Sequence, residues 1–270
     1  MNSITILACT LAAVLVSNAR SEDDLNAAAR KIFNDKKDCV VLVSAIAKTS
    51  FSGNGAKDTP VNMPDQENKV EALGTLIDAS GLVVTVLGQM DPSRNITGRS
   101  VPTPQGVVKL EASSTIKEVK VIMADGTEIP AEIVMKDADL DLAFVRIKTA
   151  SKEAKGVVFQ AVDMKDNGPG DIMDEIVTLA RMDELMNRAP VVMRGQINMI
   201  TKKPRTFLRG SGATAGCPTF LANGKFLGIT AGRSVPGKNA SAAVIIPAVD
   251  VLEIAEQAKN AKTSAAADSK

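Results

Sequence analysis

Two stretches of this chain encode β-hairpins, and they limit the fold more than anything else in it. Residues 74–85 read Gly-Thr-Leu-Ile-Asp-Ala-Ser-Gly-Leu-Val-Val-Thr, an apolar run, a polar Ser80-Gly81 turn and a second run rich in β-branched residues. Residues 119–135 repeat the device around Asp125-Gly126. Further runs dense in Val and Ile, Cys39 to Ala47, Ile176 to Ala180 and Val191 to Ile200, read as strands. Helical spacing occurs only near the two ends. Ser21 followed by Glu22, Asp23 and Asp24 is a capped, acidic helix start, with Leu25, Ala29, Ile32 and Phe33 on one face of a helix over 22–34. Val249, Leu252 and Ala255 mark a second amphipathic helix over 248–260. Residues 51–69 and 91–113, rich in Gly, Pro and polar residues, read as long loops.

Charge and aromatic content exclude several functions. Lys+Arg number 32 against 31 Asp+Glu, so no basic footprint for nucleic acid is expected. Aromatic residues make up 3%, with no Trp or Tyr, too few for base-stacking platforms. There is no histidine in 270 residues. Zinc chemistry is therefore not expected. Asp137, Asp139 and Asp141 imitate the start of a calcium loop, but Leu142 and Lys148 stand where such a loop needs Gly and Glu. No metal and no cofactor are expected.

Residues 3–16 form an uncharged apolar run followed by Ser17-Asn18-Ala19, the pattern of a signal peptide cut after Ala19. The run is short for a membrane span. An exported protein, periplasmic or secreted, with no stable membrane span after cleavage is the expectation.

Residues 213–218 read Ala-Thr-Ala-Gly-Cys-Pro, followed by Thr-Phe-Leu-Ala, an Asn223-Gly224 turn and the run Phe226-Leu227-Gly228-Ile229. This order resembles the nucleophile loop of HtrA/Deg-type serine proteases, which have the chymotrypsin fold, where Gly-Asn-Ser-Gly-Gly-Pro precedes an apolar stretch, a turn and a Val-Ile-Gly-Ile strand. Four further segments resemble that family in order: 74–85, 119–127, Asp141-Leu142-Ala143-Phe144-Val145 and Ala243 to Pro247. The resemblance spans about residues 38–258.

It implies an all-β fold of two antiparallel six-stranded barrels with a short helix at each end. The implied divisions are a signal peptide at 1–19, an N-terminal helix at 20–37, a first barrel at 38–150, a second barrel with the C-terminal helix at 151–258, and a flexible tail at 259–270. It also places the catalytic triad on Gly88, Asp141 and Ala215, of which only the acid survives. Catalysis of this kind needs a hydroxyl, an imidazole to take its proton and a carboxylate to orient the imidazole. The oxyanion loop falls on Ala213, Thr214 and Gly216. Ala213 replaces a family glycine and would be strained if its φ were positive.

In such folds the start of the first strand passes behind the nucleophile loop, so the resemblance also sets Cys39 near Cys217. A disulfide and two small buried thiols both remain open. Met164, Met173, Met182, Met186, Met193 and Met199 read as substitutes for aromatic core residues, with an adaptable peptide-binding surface as the alternative. The function implied is that of a catalytically inactive homologue that binds a protein or an extended peptide, or serves as a scaffold. An active serine-type peptidase with rearranged groups and a structural subunit docked on an active homologue are the alternatives. Association with itself or with another chain is left open.

Overall fold

The computed structural model describes residues 22–54, 63–103, 106–234 and 241–261. The expected signal peptide and nearly all of the expected tail lie outside them. Helix α1 covers 22–36, a little longer than its apolar spacing indicates, and buries Ala29 and Ile32.

The first barrel contains β1 (Val40–Asn54), β2 (Met63–Asp78), β3 (Leu82–Val86), β5 (Gly106–Ile122), β6 (Glu128–Asp137) and β7 (Leu142–Ile147), with β4 (Ser100–Thr103) added outside β5. Its strands run β1-β2-β3-β7-β6-β5, and the β1–β5 pairing closes the ring. The second barrel is a closed ring of β8 (Glu175–Arg181), β9 (Pro190–Thr201), β10 (Phe207–Gly210), β11 (Pro218–Leu221), β12 (Phe226–Ser234) and β13 (Ser241–Pro247), in the order β10-β13-β12-β11-β8-β9. All neighbours are antiparallel. Two closed six-stranded rings leave few open edges, and they are the architecture the family resemblance implies.

One apolar cluster crosses the seam. It joins Val40, Leu82, Val84, Leu142 and Phe144 of the first ring to Val177, Leu179, Phe220, Ile229 and Ala231 of the second. Phe144, Phe220 and Phe226 are fully buried, each worth about 2–3 kcal/mol in transferred apolar surface. The seam is a continuous core, and the two rings hold each other in register.

Four local expectations are corrected. The stretches read as loops at 51–69 and 91–113 are largely strand: β1 runs on to Asn54, β2 begins at Met63, and β4 with β5 fills most of 100–113. Residues 64–69 of β2 are exposed, so their side chains follow no in-and-out alternation, and that alternation is what the sequence signal depends on.

Helix α3 (Ala248–Asn260) spans the expected residues, but its buried stripe is Ala248, Val251, Ile254, Ala255 and Ala258. Val249 points outward, 58% exposed, so the apolar face was mis-phased by about one residue. Of the six methionines read as core, only Met164 is buried, while Met173, Met182 and Met186 lie exposed on turns.

Candidate functional site at the seam between the barrels

Asp141 directly precedes β7, on a residue with φ of +58° that swings the chain out of the turn at 138–141. That turn is formed by the Asp137 carboxylate, which accepts from the amides of Asp139 (3.0 Å) and Leu140 (2.9 Å). Across the sheet, β3 pairs with β7 as far as Val86↔Leu142 and then enters the single helical turn α2 (Leu87–Met90). Gly88 follows from that register. Its amide donates to Asp141 Oδ1 at 2.8 Å, and the Leu87 amide donates to the Asp141 carbonyl at 2.9 Å. Two of the three implied triad positions are thus in direct contact.

The second barrel reaches the same carboxylate through β12. The Gly232 amide lies against Asp141 and favours its charged form, and a Cβ on Gly232 would lie 2.8 Å from Asp141 Oδ2. Only a residue without a side chain lets β12 approach this closely. Arg94, in a 3₁₀ turn at Pro92–Asn95, sets its Nε 3.7 Å from Asp141 Oδ1 and donates through Nη2 to the Ala138 carbonyl at 2.9 Å. At 3.7 Å the guanidinium acts on Asp141 as a nearby charge rather than as a hydrogen-bond donor. Burial pushes the Asp141 carboxyl above the usual carboxylate range, opposed by the Gly88 amide, the Arg94 charge and the Gly232 amide.

Ala215 lies in the loop between β10 and β11, partly buried and packed on the seam cluster. Two contacts fix its neighbour Gly216. Its amide donates to the Thr230 carbonyl at 2.8 Å, and its carbonyl accepts from Thr75 Oγ1 at 2.8 Å. Thr230 is two residues from Gly232 on β12, roughly 7 Å along a strand, so the loop and the Asp141 carboxylate border the same stretch of seam. Gly216 has φ of +79°, and a Cβ there would sit 1.9 Å from the Leu73 carbonyl oxygen, which only glycine avoids.

Ala213 is absent from the positive-φ positions among the described residues, so the strain considered for it does not arise; Gly212 (φ +79°) and Gly216 carry the left-handed turns. Thr214 closes the loop by accepting the Cys217 amide at 3.1 Å on its carbonyl, and its hydroxyl lies 4.0 Å from Met193 Sδ. Cys39 and Cys217 are both buried free thiols in one apolar cluster. Burial pushes the Cys39 thiol up to about 12 and the Cys217 thiol higher still. Among the described residues no cluster of acids and cysteines is arranged to hold a metal, and no helix is long and apolar enough to cross a membrane.

Three arginines that matter to this seam were not singled out from the sequence. Arg94 lies in a polar turn with no periodicity to mark it. Arg181, its side chain 3% exposed, donates to the carbonyls of Val40 (2.6 Å) and Arg188 (3.3 Å) and pairs with Asp38 (3.1 Å), tying β8 to the start of β1. Arg146 is the one charge inside the apolar strand Leu142–Ile147, a signal that could have found it.

No protein-family model and no curated protein matches the sequence. Among solved structures, the chain is similar to a serine endoprotease from Yersinia pestis, with a TM-score of 0.53, 15% identity, and coverage of 86% of this chain and 66% of that one. It is also similar to the MamO protease domain from Magnetospirillum magneticum, with a TM-score of 0.49, 19% identity, and coverage of 82% and 98%. The two closed antiparallel rings and the likeness to the endoprotease make this a trypsin-like double-barrel fold.

Proposed function

We propose that this chain is a trypsin-like domain that does not hydrolyse peptides and instead holds an extended protein segment along its seam. The observation that carries the reading is the setting of Asp141. Its carboxylate accepts the Gly88 amide and is closed in by Gly232, and the position expected to supply an imidazole has no side chain. With no histidine anywhere, a hydroxyl at the seam has no imidazole to take its proton. An acid that orients nothing contributes to the architecture alone.

Binding is supported by the edge of β12. Beyond Gly232, whose amide faces Asp141, the side of β12 turned away from β13 has no strand partner among the described residues. An extended segment can add there through main-chain hydrogen bonds. The expected signal peptide would place this binding in an exported protein.

The test is direct. The purified chain is incubated with an unfolded protein substrate and with a serine-reactive fluorophosphonate, with an active trypsin-like protease as the positive control. No cleavage and no labelling above a heat-treated sample is the expected result. Turnover or labelling that maps to the loop at 211–217 refutes the loss of catalysis.

A further inference from the structure

The first barrel forks. Strands β5 and β6 pair only over Lys120–Ile122 with Glu128–Pro130. Beyond that point β5 over 113–119 pairs with β1, and β6 from Ala131 to Asp137 pairs with β7. Two features open the fork. A bulge sets two β5 residues, Glu118 and Val119, against Ala45 alone, with Glu118 at φ +50°, which turns β5 away from β6. At the vertex Pro130 has no amide to continue the ladder, and its carbonyl already accepts from the Lys148 amide at 2.8 Å. A groove of about 810 Å³ remains between two strand edges that face each other.

The lining is specific in charge. Ile116, Val119, Ile133 and Met135 are partly buried along the groove and packed against the core clusters. Lys117, Lys136 and Lys148 stand exposed around it with no acid partner among the described residues, whereas Lys120 is paired with Glu128 at 3.0 Å. Glu118 and Glu132 also line it, so the lysines without an acid partner leave the groove net basic. Open main-chain groups, alternating apolar positions and excess positive charge together describe a complement: an extended segment with acidic and apolar residues alternating.

We infer that this fork is a docking site, separate from the seam, for an acidic extended segment of a partner protein, which adds as a strand between β5 and β6. Six residues of β5, 114–119, line the groove ahead of its pairing with β6, so a bound strand of six or seven residues spans roughly 20–25 Å. Main-chain pairing supplies the binding energy, and the lysines choose the partner by charge and speed its approach.

The probe is a fluorescein-labelled heptapeptide, Glu-Val-Glu-Val-Glu-Val-Glu, added to the full chain and followed by anisotropy, with amide hydrogen exchange to locate it. Expected are binding of this peptide, protection of amides within 113–119 and 131–136, and no binding of the Lys-Val counterpart. The variant K117E/K136E/K148E alters only exposed side chains, so its circular dichroism should match the parent, and its affinity for the acidic peptide should fall at least about tenfold. Methylating alternate peptide amides should abolish binding while keeping the charge. No binding of the acidic peptide, equal binding of the lysine peptide, undiminished affinity of the triple variant, or protection mapping to β12 would each overturn the inference.

Discussion

Arg146 gives the most demanding test of how the seam is held. From β7 its guanidinium donates through Nη2 to the carbonyls of Ala258 (2.8 Å) and Lys259 (3.0 Å) and through Nη1 to that of Ala261 (3.2 Å). These are carbonyls at the C-terminal end of α3, where that of Ala258 also accepts the Ala261 amide at 3.3 Å and where the helix dipole favours a cation. The first barrel therefore caps a helix packed on β12 and β13 of the second. Arg146→Met keeps much of the stem and removes the donors. A hydrogen bond to a charged group is worth about 1.5–3 kcal/mol and the dipole about 0.3–1 kcal/mol. The three bonds share one group at a half-buried site and water replaces part of the loss, so the expected cost is about 2–4 kcal/mol rather than the sum. For a domain of this size that lowers Tm by roughly 4–12 °C. Urea titration should show a lower midpoint with an unchanged slope, and hydrogen exchange should show loss of protection in the last turn of α3. A melt within about 1 °C of the parent, with the last turn still protected, would refute the cap.

The other consequences are shorter to state. Gly216→Ala sets a methyl 1.9 Å from the Leu73 carbonyl oxygen at φ +79°; the left-handed strain alone costs about 1–2 kcal/mol, so a variant as stable as the parent in urea titration would contradict the docking of this loop on β2. Burial raises the Asp78 carboxyl, but hydrogen bonds from Lys259 at 2.9 Å and from Ser80, with the Lys259 charge, together outweigh it and hold the group at about 2, so Lys259→Met removes part of the depression. A depressed carboxyl stabilises the fold above its unfolded value near 3.8 and loses that stability as pH falls through about 2, a loss of about 2 kcal/mol that acid titration of Lys259→Met should show only in part. The Cys39 and Cys217 thiols should react with iodoacetamide at pH 8 only on the timescale of global unfolding, since burial holds both protonated; non-reducing mass analysis of the purified chain should show them unjoined.

The hairpins were legible because they carry their own grammar, while their closure into two rings came only with the family resemblance. Ser80-Gly81 and Asp125-Gly126 fall in the turns between β2 and β3 and between β5 and β6, with Gly81 and Gly126 at φ near +88°. What stayed hidden has a common cause. β1, β2 and β5 run past the barrel into solvent, where alternation vanishes and residues such as Asp65, Gln66 and Glu67 look like a loop. At the seam, Gly88 and Asp141 were placed by order along the chain and do meet. Gly232, the second amide on the same carboxylate, gives no sign in the sequence, because its part is to have no side chain where two barrels touch.

Asp141 itself shows how an acid persists in a site that has nothing for it to orient. In a working triad the carboxylate must stay ionised to steady an imidazolium. Here burial outweighs two amides and the Arg94 charge, so the pocket favours the neutral form more than water does. A raised carboxyl stabilises the fold fully below its unfolded value near 3.8, and that contribution fades as pH rises through the folded value. Asp141→Asn imitates the neutral form and still offers one oxygen to the Gly88 amide. At pH 7 it should therefore be at least as stable as the parent in urea titration, with any advantage vanishing toward pH 4. If it instead loses more than about 1 kcal/mol at pH 7, the net worth of one ordinary hydrogen bond, the carboxylate charge is holding the two barrels together. If the expectation holds, position 141 requires only an acceptor for the Gly88 amide, and its negative charge is dispensable to the fold.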